Sequence, residues 1–254
     1  MKLHYQSTGQ GRALVILHGL FGSGDNWKGF AKSLENSARV IMVDIRNHGR
    51  SPHSSEQNYQ LMADDLAELC QDLNLDSIDL IGHSVGGKMA MAFSESYPQL
   101  LNKLMVVDIA PRQYHDRHGK DFNALLAVDL SAYTRRSEVD KVLQFSIPIK
   151  TIRQFLLMNL MVDDGKLTWR LNLPALSEHY PELLQAVCQT SHIDIPTCFI
   201  RGGLSDYLND TDEELISQIF SQSQIITIEQ ANHWVHAEQP QEFIKNVRVF
   251  FNYD

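Results

Sequence analysis

The chain has 254 residues, 43% of them hydrophobic, which is enough to build the core of one large domain. Its formal net charge is −9, and an acidic protein lacks the electrostatic footprint that nucleic acids and anionic membranes attract. We therefore expect neither of them as a partner. The first residues contain no apolar signal sequence and no later run reaches about 18 apolar residues, so the sequence predicts a cytoplasmic protein without a membrane span.

Short runs rich in β-forming residues alternate with amphipathic stretches along most of the chain. Helical patterns lie between several of the runs, for example at 59–73, 88–97 and 212–220. This alternation is typical of βα units on a parallel sheet, which binds ligands at the carboxyl ends of its strands. The sequence thus predicts an α/β protein with a mostly parallel central sheet flanked by helices. The predicted strands cover residues 13–19, 39–45, 77–84, 103–110, 197–203 and 224–231.

The alternation is interrupted in the middle of the chain, where the sequence indicates helices with apolar faces and no clear parallel strand. We therefore predict a core made of residues 1–111 and 195–254, with an inserted helical cap at 112–194. The cap contains the apolar run QFLLMNLM at 154–161. Such a run can pack the cap onto the core or form a wall of an acyl pocket, and both interpretations are open.

Residues 82–86, Gly-His-Ser-Val-Gly, match the G-x-S-x-G motif. An apolar strand comes before the motif and a small-residue helix start follows it, which is the context that exposes a nucleophilic serine. Glycines suit both ends because a Cβ atom would crowd so sharp a turn. The helix that begins at Val85 directs its amides and its positive end toward a developing oxyanion. We predict that Ser84 is the nucleophile.

A serine hydroxyl needs a base to take its proton. Where a G-x-S-x-G serine lies between a strand and a helix of such a sheet, the nucleophile, the acid and the base follow one another in that order along the chain. His233 lies in the loop between the last predicted strand and the final helix, which begins near Gln239. His236 is better explained as a helix-start or surface residue. His18 and His83 flank the nucleophile and are expected to shape the pocket. His233 is therefore the predicted base.

Two carboxylates are candidates for the acid that orients the base. Asp206 follows the predicted strand at 197–203, where the acid most commonly lies in this topology. Asp108 ends the strand that comes after the nucleophile helix. Both orders are topologically allowed, and general topology alone favours Asp206.

The loop after the first core strand, His-Gly-Leu-Phe-Gly at 18–22, is expected to supply the second oxyanion donor. Gly19 lets the backbone pass close to the substrate. The amide of Leu20 would join that of Val85 in binding the oxyanion. Because both donors are backbone groups, a side-chain change at Leu20 need not abolish activity.

The sequence contains five longer motifs, which are HGLFGSGDNW at 18–27, VDIRNHGRSP at 43–52, GHSVGGK at 82–88, VDIAP at 107–111 and ANHWVHAEQP at 231–240. Together they resemble the motifs of the YbfF-type esterases, which are related to the abhydrolase-domain 11 proteins, and the resemblance extends over nearly the whole chain. It implies a capped α/β-hydrolase that acts on acyl esters and thioesters, with palmitoyl-CoA or malonyl-CoA-like compounds among the candidates, and that needs no cofactor. The histidine clusters lack further ligands at a recognisable spacing, so we predict no metal site.

Residue-by-residue matching to this family keeps Ser84 and His233 in their roles. Asp108 matches the acid in the VDIAP motif, so the resemblance favours Asp108, with Asp206 as the alternative. Arg46 is expected either to recognise a substrate carboxylate or to belong to a structural turn. The residues predicted to bind substrate are Phe21, His83, Arg46, Ser205 and Trp234.

These residues predict a carboxylesterase or acyl-CoA thioesterase for short- to medium-chain substrates, which works through a Ser-His-Asp triad and an acyl-enzyme. A haloperoxidase or a C–C bond hydrolase would also retain the serine, and a non-catalytic binder of acyl ligands could share the fold. We expect a small-molecule substrate and a monomer or weak homodimer.

Overall fold

The computed structural model describes residues 1–253, which fold around a seven-stranded sheet in the order β1-β3-β2-β4-β5-β8-β9. Neighbouring strands of this sheet are parallel, except that β1 is antiparallel to β3. The predicted α/β architecture is therefore confirmed. The strands are β1 (Tyr5–Thr8), β2 (Ala13–Leu17), β3 (Arg39–Val43), β4 (Ile78–His83), β5 (Leu101–Val107), β6 (Leu160–Asp163), β7 (Lys166–Trp169), β8 (Thr197–Gly202) and β9 (Ser223–Ile228).

Helices connect the strands and cover both faces of the sheet. Within residues 1–253, none of them is long and apolar enough to cross a membrane. The α-helices are α1 (Lys28–Leu34), α2 (Tyr59–Asp72), α3 (Val85–Ser96), α4 (Gly119–Leu126), α5 (Arg136–Leu143), α6 (Lys150–Leu157), α7 (Leu173–Glu178), α8 (Tyr180–Leu183), α9 (Glu213–Ile219), α10 (Val235–Glu238) and α11 (Pro240–Phe251).

Two hydrophobic cores lie on the two faces of the sheet, because successive side chains of a strand point to opposite faces. On one face, Phe30 of α1 and Phe243 of α11 pack with strand residues such as Ile16. On the other face, strand residues pack with Met62 of α2 and Phe93 of α3, and this core continues into the cap. The sheet is thus buried on both sides, which holds the carboxyl ends of its strands in fixed positions.

The segment at 112–194 contains α4 to α8, and it also contains an antiparallel hairpin of β6 and β7 that the sequence analysis did not predict. The apolar run at 154–161 is split, since α6 ends at Leu157 and β6 begins at Leu160. Asp164 and Gly165 form the hairpin turn with φ angles of 46° and 74°. Two positive φ angles define a type I′ turn, for which Asp-Gly is a strong sequence signal.

The two ends of the cap are bonded to each other. The amide of Val187 donates to the carbonyl of Pro111 at 2.8 Å, and the amide of Tyr114 donates to the carbonyl of Leu184 at 2.9 Å. The core also binds this junction, because the hydroxyl of Tyr59 donates to the carbonyl of Leu183 at 2.7 Å. The residues between these bonds therefore form an excursion of the chain, which leaves the core and returns to it at the same place.

The first turn of α3 lies so close to β2 that only glycine fits at position 86. A Cβ atom on Gly86 would lie 2.5 Å from the carbonyl oxygens of both Leu17 and His18. We expect Gly86→Ala to lower the free energy of unfolding by about 1–3 kcal/mol, because the backbone must shift to relieve the overlap. Urea denaturation followed by circular dichroism measures this change.

Gly29 in α1 provides the matched control, because a Cβ atom there would meet nothing within 4 Å. Gly29→Ala should raise the free energy of unfolding by up to about 1 kcal/mol, since alanine loses less backbone entropy in a helix. Equal effects of the two substitutions would show that the close approach at Gly86 does not constrain the fold.

Candidate active site

Ser84 lies on a sharp turn between β4 and α3. Its φ and ψ angles are 53° and −121°, a conformation that a residue other than glycine adopts only when its surroundings impose it. Two bonds hold the turn: the amide of Ser84 donates to the carbonyl of Val107 at 3.0 Å, and the amide of Gly87 donates to the carbonyl of Ser84 at 2.8 Å. This is the strand–turn–helix arrangement that the sequence predicted for the nucleophile.

His233 faces Asp108, with 2.8 Å between the imidazole Nδ1 and the carboxylate Oδ2. Asp108 directly follows β5 and is fully buried. Its carboxylate accepts two further hydrogen bonds, from the amide of Gly202 at 3.0 Å and from the hydroxyl of Ser205 at 2.5 Å. These donors fix the position of the buried carboxylate, which can in turn fix the orientation of the imidazole.

Asp206 has a different environment. Its side chain is 76% exposed and forms a two-pronged ion pair with the guanidinium of Arg117, at 2.6 and 2.9 Å. This hydrogen-bonded pairing lowers the pKa of Asp206. The structure therefore brings Asp108 to His233 and engages the carboxylate of Asp206 with the cap.

Two rings restrain the imidazole of His233. The ring of Tyr207 stacks on it, with centroids 3.7 Å apart and an interplanar angle of 18°. The Nε2 of His83 donates to the backbone carbonyl of His233 at 2.9 Å. Burial lowers the pKa of His83 well below its usual value, so its ring is neutral. The guanidinium of Arg117 lies 4.4 Å from the centroid of Tyr207.

The loop after β2 forms a tight turn beside Ser84. The amide of Gly22 donates to the carbonyl of Gly19 at 2.9 Å, and Phe21 has a φ angle of 61°. A positive φ at the third position is typical of a type II turn. His18 Nδ1 also bonds the carbonyl of Gly19 at 2.8 Å, while the amide of Ile45 donates to His18 Nε2 at 3.0 Å.

The two predicted oxyanion donors are the backbone amides of Leu20 and Val85. Within residues 1–253, neither the amide of Leu20 nor that of Val85 donates to another protein group. The amide of Phe21, in contrast, donates to Nε2 of His48 at 3.3 Å. The carbonyl of Gly19 and the N–H of Leu20 belong to the same planar peptide unit. The hydrogen bonds that the Gly19 carbonyl accepts therefore also fix the direction of the Leu20 N–H. A pair of free, fixed amides is what stabilisation of an oxyanion requires.

A cavity of about 790 Å³ joins these groups, and both Ser84 and His233 line it. Among the residues predicted to bind substrate, Phe21, His83 and Trp234 also line the cavity. The ring of Trp234 contacts Phe155 of the cap, with centroids 5.4 Å apart. The opposite wall comes from apolar cap residues, namely Ile147, Pro148, Ile152, Phe155, Leu156 and Met158.

Arg46 and Ser205, the other two residues of this group, are bonded to carboxylates of the protein. Arg46 is buried and its guanidinium pairs with Asp65, at 2.6 and 3.0 Å. It also donates to the carbonyls of Glu56 and Leu61. Its donors are thus taken by the protein, and a role in binding a substrate carboxylate is not supported. The hydroxyl of Ser205 donates to Asp108, so it supports the carboxylate instead of lining the cavity.

Sequence reasoning missed two residues of the site. Tyr207, which stacks on His233, follows Asp206 directly, and its position in that loop was the available signal. His48 accepts a hydrogen bond from the amide of Phe21, a role that the sequence analysis did not assign to it. No local pattern links His48 to a loop 27 residues earlier in the chain.

The fold and this site together define the class of protein. The chain belongs to the α/β hydrolase family: the family model described as "alpha/beta hydrolase fold" matches residues 12–240. The resemblance to YbfF-type esterases is confirmed, since the chain is 36% identical to "Esterase YbfF" of Escherichia coli (strain K12). That match covers 94% of this chain and 92% of the relative.

Two further relatives agree with this assignment. The chain is 39% identical to "sn-1-specific diacylglycerol lipase ABHD11" of Mus musculus, over 94% of this chain and 80% of the relative. A solved structure named "Marine microorganism esterase" superposes with a TM-score of 0.96 at 38% identity, covering 98% of this chain and 99% of that one. These names support a hydrolase.

The neutral state of His48 makes stability depend on pH. Burial lowers the pKa of His48 to about 3, whereas the unfolded chain has the ordinary value near 6.5. Between these values the unfolded state binds more protons, so the free energy of unfolding falls as the pH drops below about 6.5. Between pH 6.5 and 5.0, His48 alone should account for a loss of about 2 kcal/mol.

Urea denaturation at pH 6.5 and 5.0 tests this expectation in the wild type and in His48→Gln. The variant has no imidazole to protonate at this position, so it should lose less stability than the wild type over the interval. An equal loss in both proteins would show that His48 does not contribute to the pH dependence.

Proposed function

We propose that this protein is a serine esterase or thioesterase that hydrolyses short- to medium-chain acyl esters or acyl-CoA thioesters. The proposal rests on one observation: Ser84 and His233 line the same cavity, and Asp108 lies 2.8 Å from the base. Names of relatives, which include an esterase and a lipase, support the same activity.

The proposed reaction has two steps. In the first, the Oγ of Ser84 attacks the carbonyl carbon while His233 takes the hydroxyl proton at Nε2. Asp108 accepts the hydrogen bond from Nδ1 and stabilises the imidazolium, and the amides of Leu20 and Val85 bind the oxyanion. His233 then gives the proton to the leaving alcohol or thiol. In the second step His233 activates water, which releases the acid from Ser84.

The cavity supports a substrate larger than an acetyl ester. Its volume of about 790 Å³ lies in the upper part of the range for small-molecule sites, roughly 300–1,000 Å³. The apolar cap wall, with Ile152 and Phe155, suits an acyl chain. Lys120 lines the cavity together with the carboxylates of Asp121 and Glu238, so the preference between an ester and a coenzyme A thioester is left to the assay.

Hydrolysis of a series of p-nitrophenyl esters and acyl-CoA thioesters tests the proposal. The wild type should show turnover on at least one series, and Ser84→Ala should lose it by a factor of about 10³ or more. A fluorophosphonate probe should label the wild type but not Ser84→Ala. Full activity in Ser84→Ala would rule out a serine mechanism.

Assays of C–C bond cleavage and of halide oxidation, run beside this panel, separate the competing functions. Turnover restricted to C–C cleavage or halide oxidation would identify another serine-dependent activity on this fold. A folded wild type that binds acyl ligands but is neither labelled nor active would be a non-catalytic binder. The length of the preferred acyl chain would assign the substrate class.

A pair of isosteric substitutions tests the acid. Asp108→Asn should reduce kcat by about 10³–10⁴, because an amide neither holds the correct tautomer of His233 nor stabilises the imidazolium. Asp206→Asn is the matched control and should stay within a few-fold of the wild type, because its carboxylate is exposed and paired with Arg117. Measurements of kcat for the preferred ester decide between them, and a dead Asp206→Asn with an active Asp108→Asn would reverse the assignment.

A further inference from the structure

One cap side chain, that of Asn159, forms a hydrogen bond to the backbone of the turn beside the nucleophile. Asn159 lies between α6 and β6, and its side chain is buried. Its amide nitrogen donates to the backbone carbonyl of Phe21 at 2.7 Å and to the carbonyl of Leu156 at 3.2 Å. A single side chain thus joins the end of α6 to the turn that carries the amide of Leu20.

The backbone of Phe21 needs such support. Its φ angle is 61°, in the left-handed region that costs free energy for any residue other than glycine. His48 accepts from its amide, and Asn159 donates to its carbonyl. The two peptide units that flank Phe21 are therefore both held, one from the core and one from the cap.

The hydrogen bond of Asn159 differs in origin from the other side-chain hydrogen bonds to the turn, while His118 and Phe122 of the cap pack against the ring of Phe21. His18 and His48, which bond Gly19 and Phe21, both belong to the core. Asn159 belongs to the excursion of the chain that also forms the apolar wall of the cavity. Displacement of the cap would remove this donor and leave a buried carbonyl without its partner, which is unfavourable.

We propose that Asn159 is a positioning residue that makes the alignment of the Leu20 amide depend on how the cap packs against the core. This inference rests on the proposed function, because it assigns the Leu20 amide to an oxyanion. The cap then has two effects. Its apolar wall contacts the acyl chain, and Asn159 completes the support of the turn at 19–22, which we call the oxyanion turn. A substrate that holds the cap against the core thereby also orders the Leu20 amide, which stabilises the transition state of that substrate.

Asn172 offers a matched control for a purely structural role. It is also a cap asparagine, and its amide nitrogen donates to Oδ1 of Asn47 at 3.0 Å and to the carbonyl of Ser54 at 2.9 Å. It therefore joins the cap to the core with two side-chain hydrogen bonds, as many as Asn159 donates, but both go to residues of the 47–54 loop, and within residues 1–253 its side chain has no hydrogen bond to residues 18–22.

The experiment compares Asn159→Leu and Asn172→Leu with the wild-type protein, using the ester that the wild type hydrolyses best. Asn159→Leu should lower kcat by about ten-fold or more, because a small misplacement of an oxyanion donor weakens the transition state. Its KM should change less than about three-fold, since ground-state binding does not use this donor. Asn172→Leu should keep kcat within two-fold, whatever its loss of thermal stability.

A trifluoromethyl ketone with the same acyl chain supplies a second readout. It forms a hemiketal with Ser84 whose oxyanion occupies the same hole, so its inhibition constant should rise in Asn159→Leu in parallel with the fall in kcat/KM. Asn159→Ala repeats both measurements in case the leucine side chain disturbs packing.

Two results would overturn the inference. One is a kcat within two-fold of the wild type in both Asn159 variants, and the other is an equal loss of kcat in Asn172→Leu. Either result leaves the proposed function intact as long as the wild type turns over esters and Ser84→Ala does not. Absence of turnover in the wild type would instead remove the proposed function and the inference together.

Discussion

The hydrogen bond between the buried carboxylate of Asp108 and the imidazole of His233 sets the arrangement of this site. It joins groups that are 125 residues apart in the chain, and it forms only if the ends of β5, β8 and β9 are in register. The parallel pairing of these strands brings their ends into register. At the end of β8, the amide of Gly202 donates to the same carboxylate. Burial on both faces of the sheet removes the freedom that would break the contact.

Buried neutral histidines support the opposite side of the site. His18 and His48 bond the turn next to Ser84, and burial lowers the pKa of each. A neutral imidazole has one donor and one acceptor, so each ring can link two backbone groups that would otherwise be unpaired. His48 does so between the amide of Phe21 and the carbonyl of Arg46. Protonation would replace the acceptor by a donor and break the first of these bonds.

Local signals predicted most of the fold and the nucleophile. The alternation of strands and helices and the G-x-S-x-G turn both depend on neighbouring residues, so a single sequence carries them. β1 was missed because it is a short, half-exposed edge strand with polar residues. The hairpin of β6 and β7 was missed because its apolar run also suits a helix, and the Asp-Gly pair that marks its turn was not weighed.

The partners of charged and polar side chains were harder to predict, because long-range contacts decide them. Arg46 looked available to a ligand, yet Asp65 on α2 occupies its guanidinium. Topology alone favoured Asp206, whose carboxylate is bound by Arg117 from the cap. The family motif around Asp108 pointed to the residue that faces His233 in the structure, which shows what a longer motif adds to a topological rule.

The bonded junction at the two ends of the cap also bears on how such proteins diversify. Because Tyr114 bonds Leu184 and Val187 bonds Pro111, the chain between them leaves the core and returns to it at one place. That excursion can be exchanged for another of different length while β5 and β8 keep their places in the sheet. A cap taken from a relative must supply its own donor for the carbonyl of Phe21. An exchange of caps between relatives is therefore constrained at this carbonyl as well as at the junction.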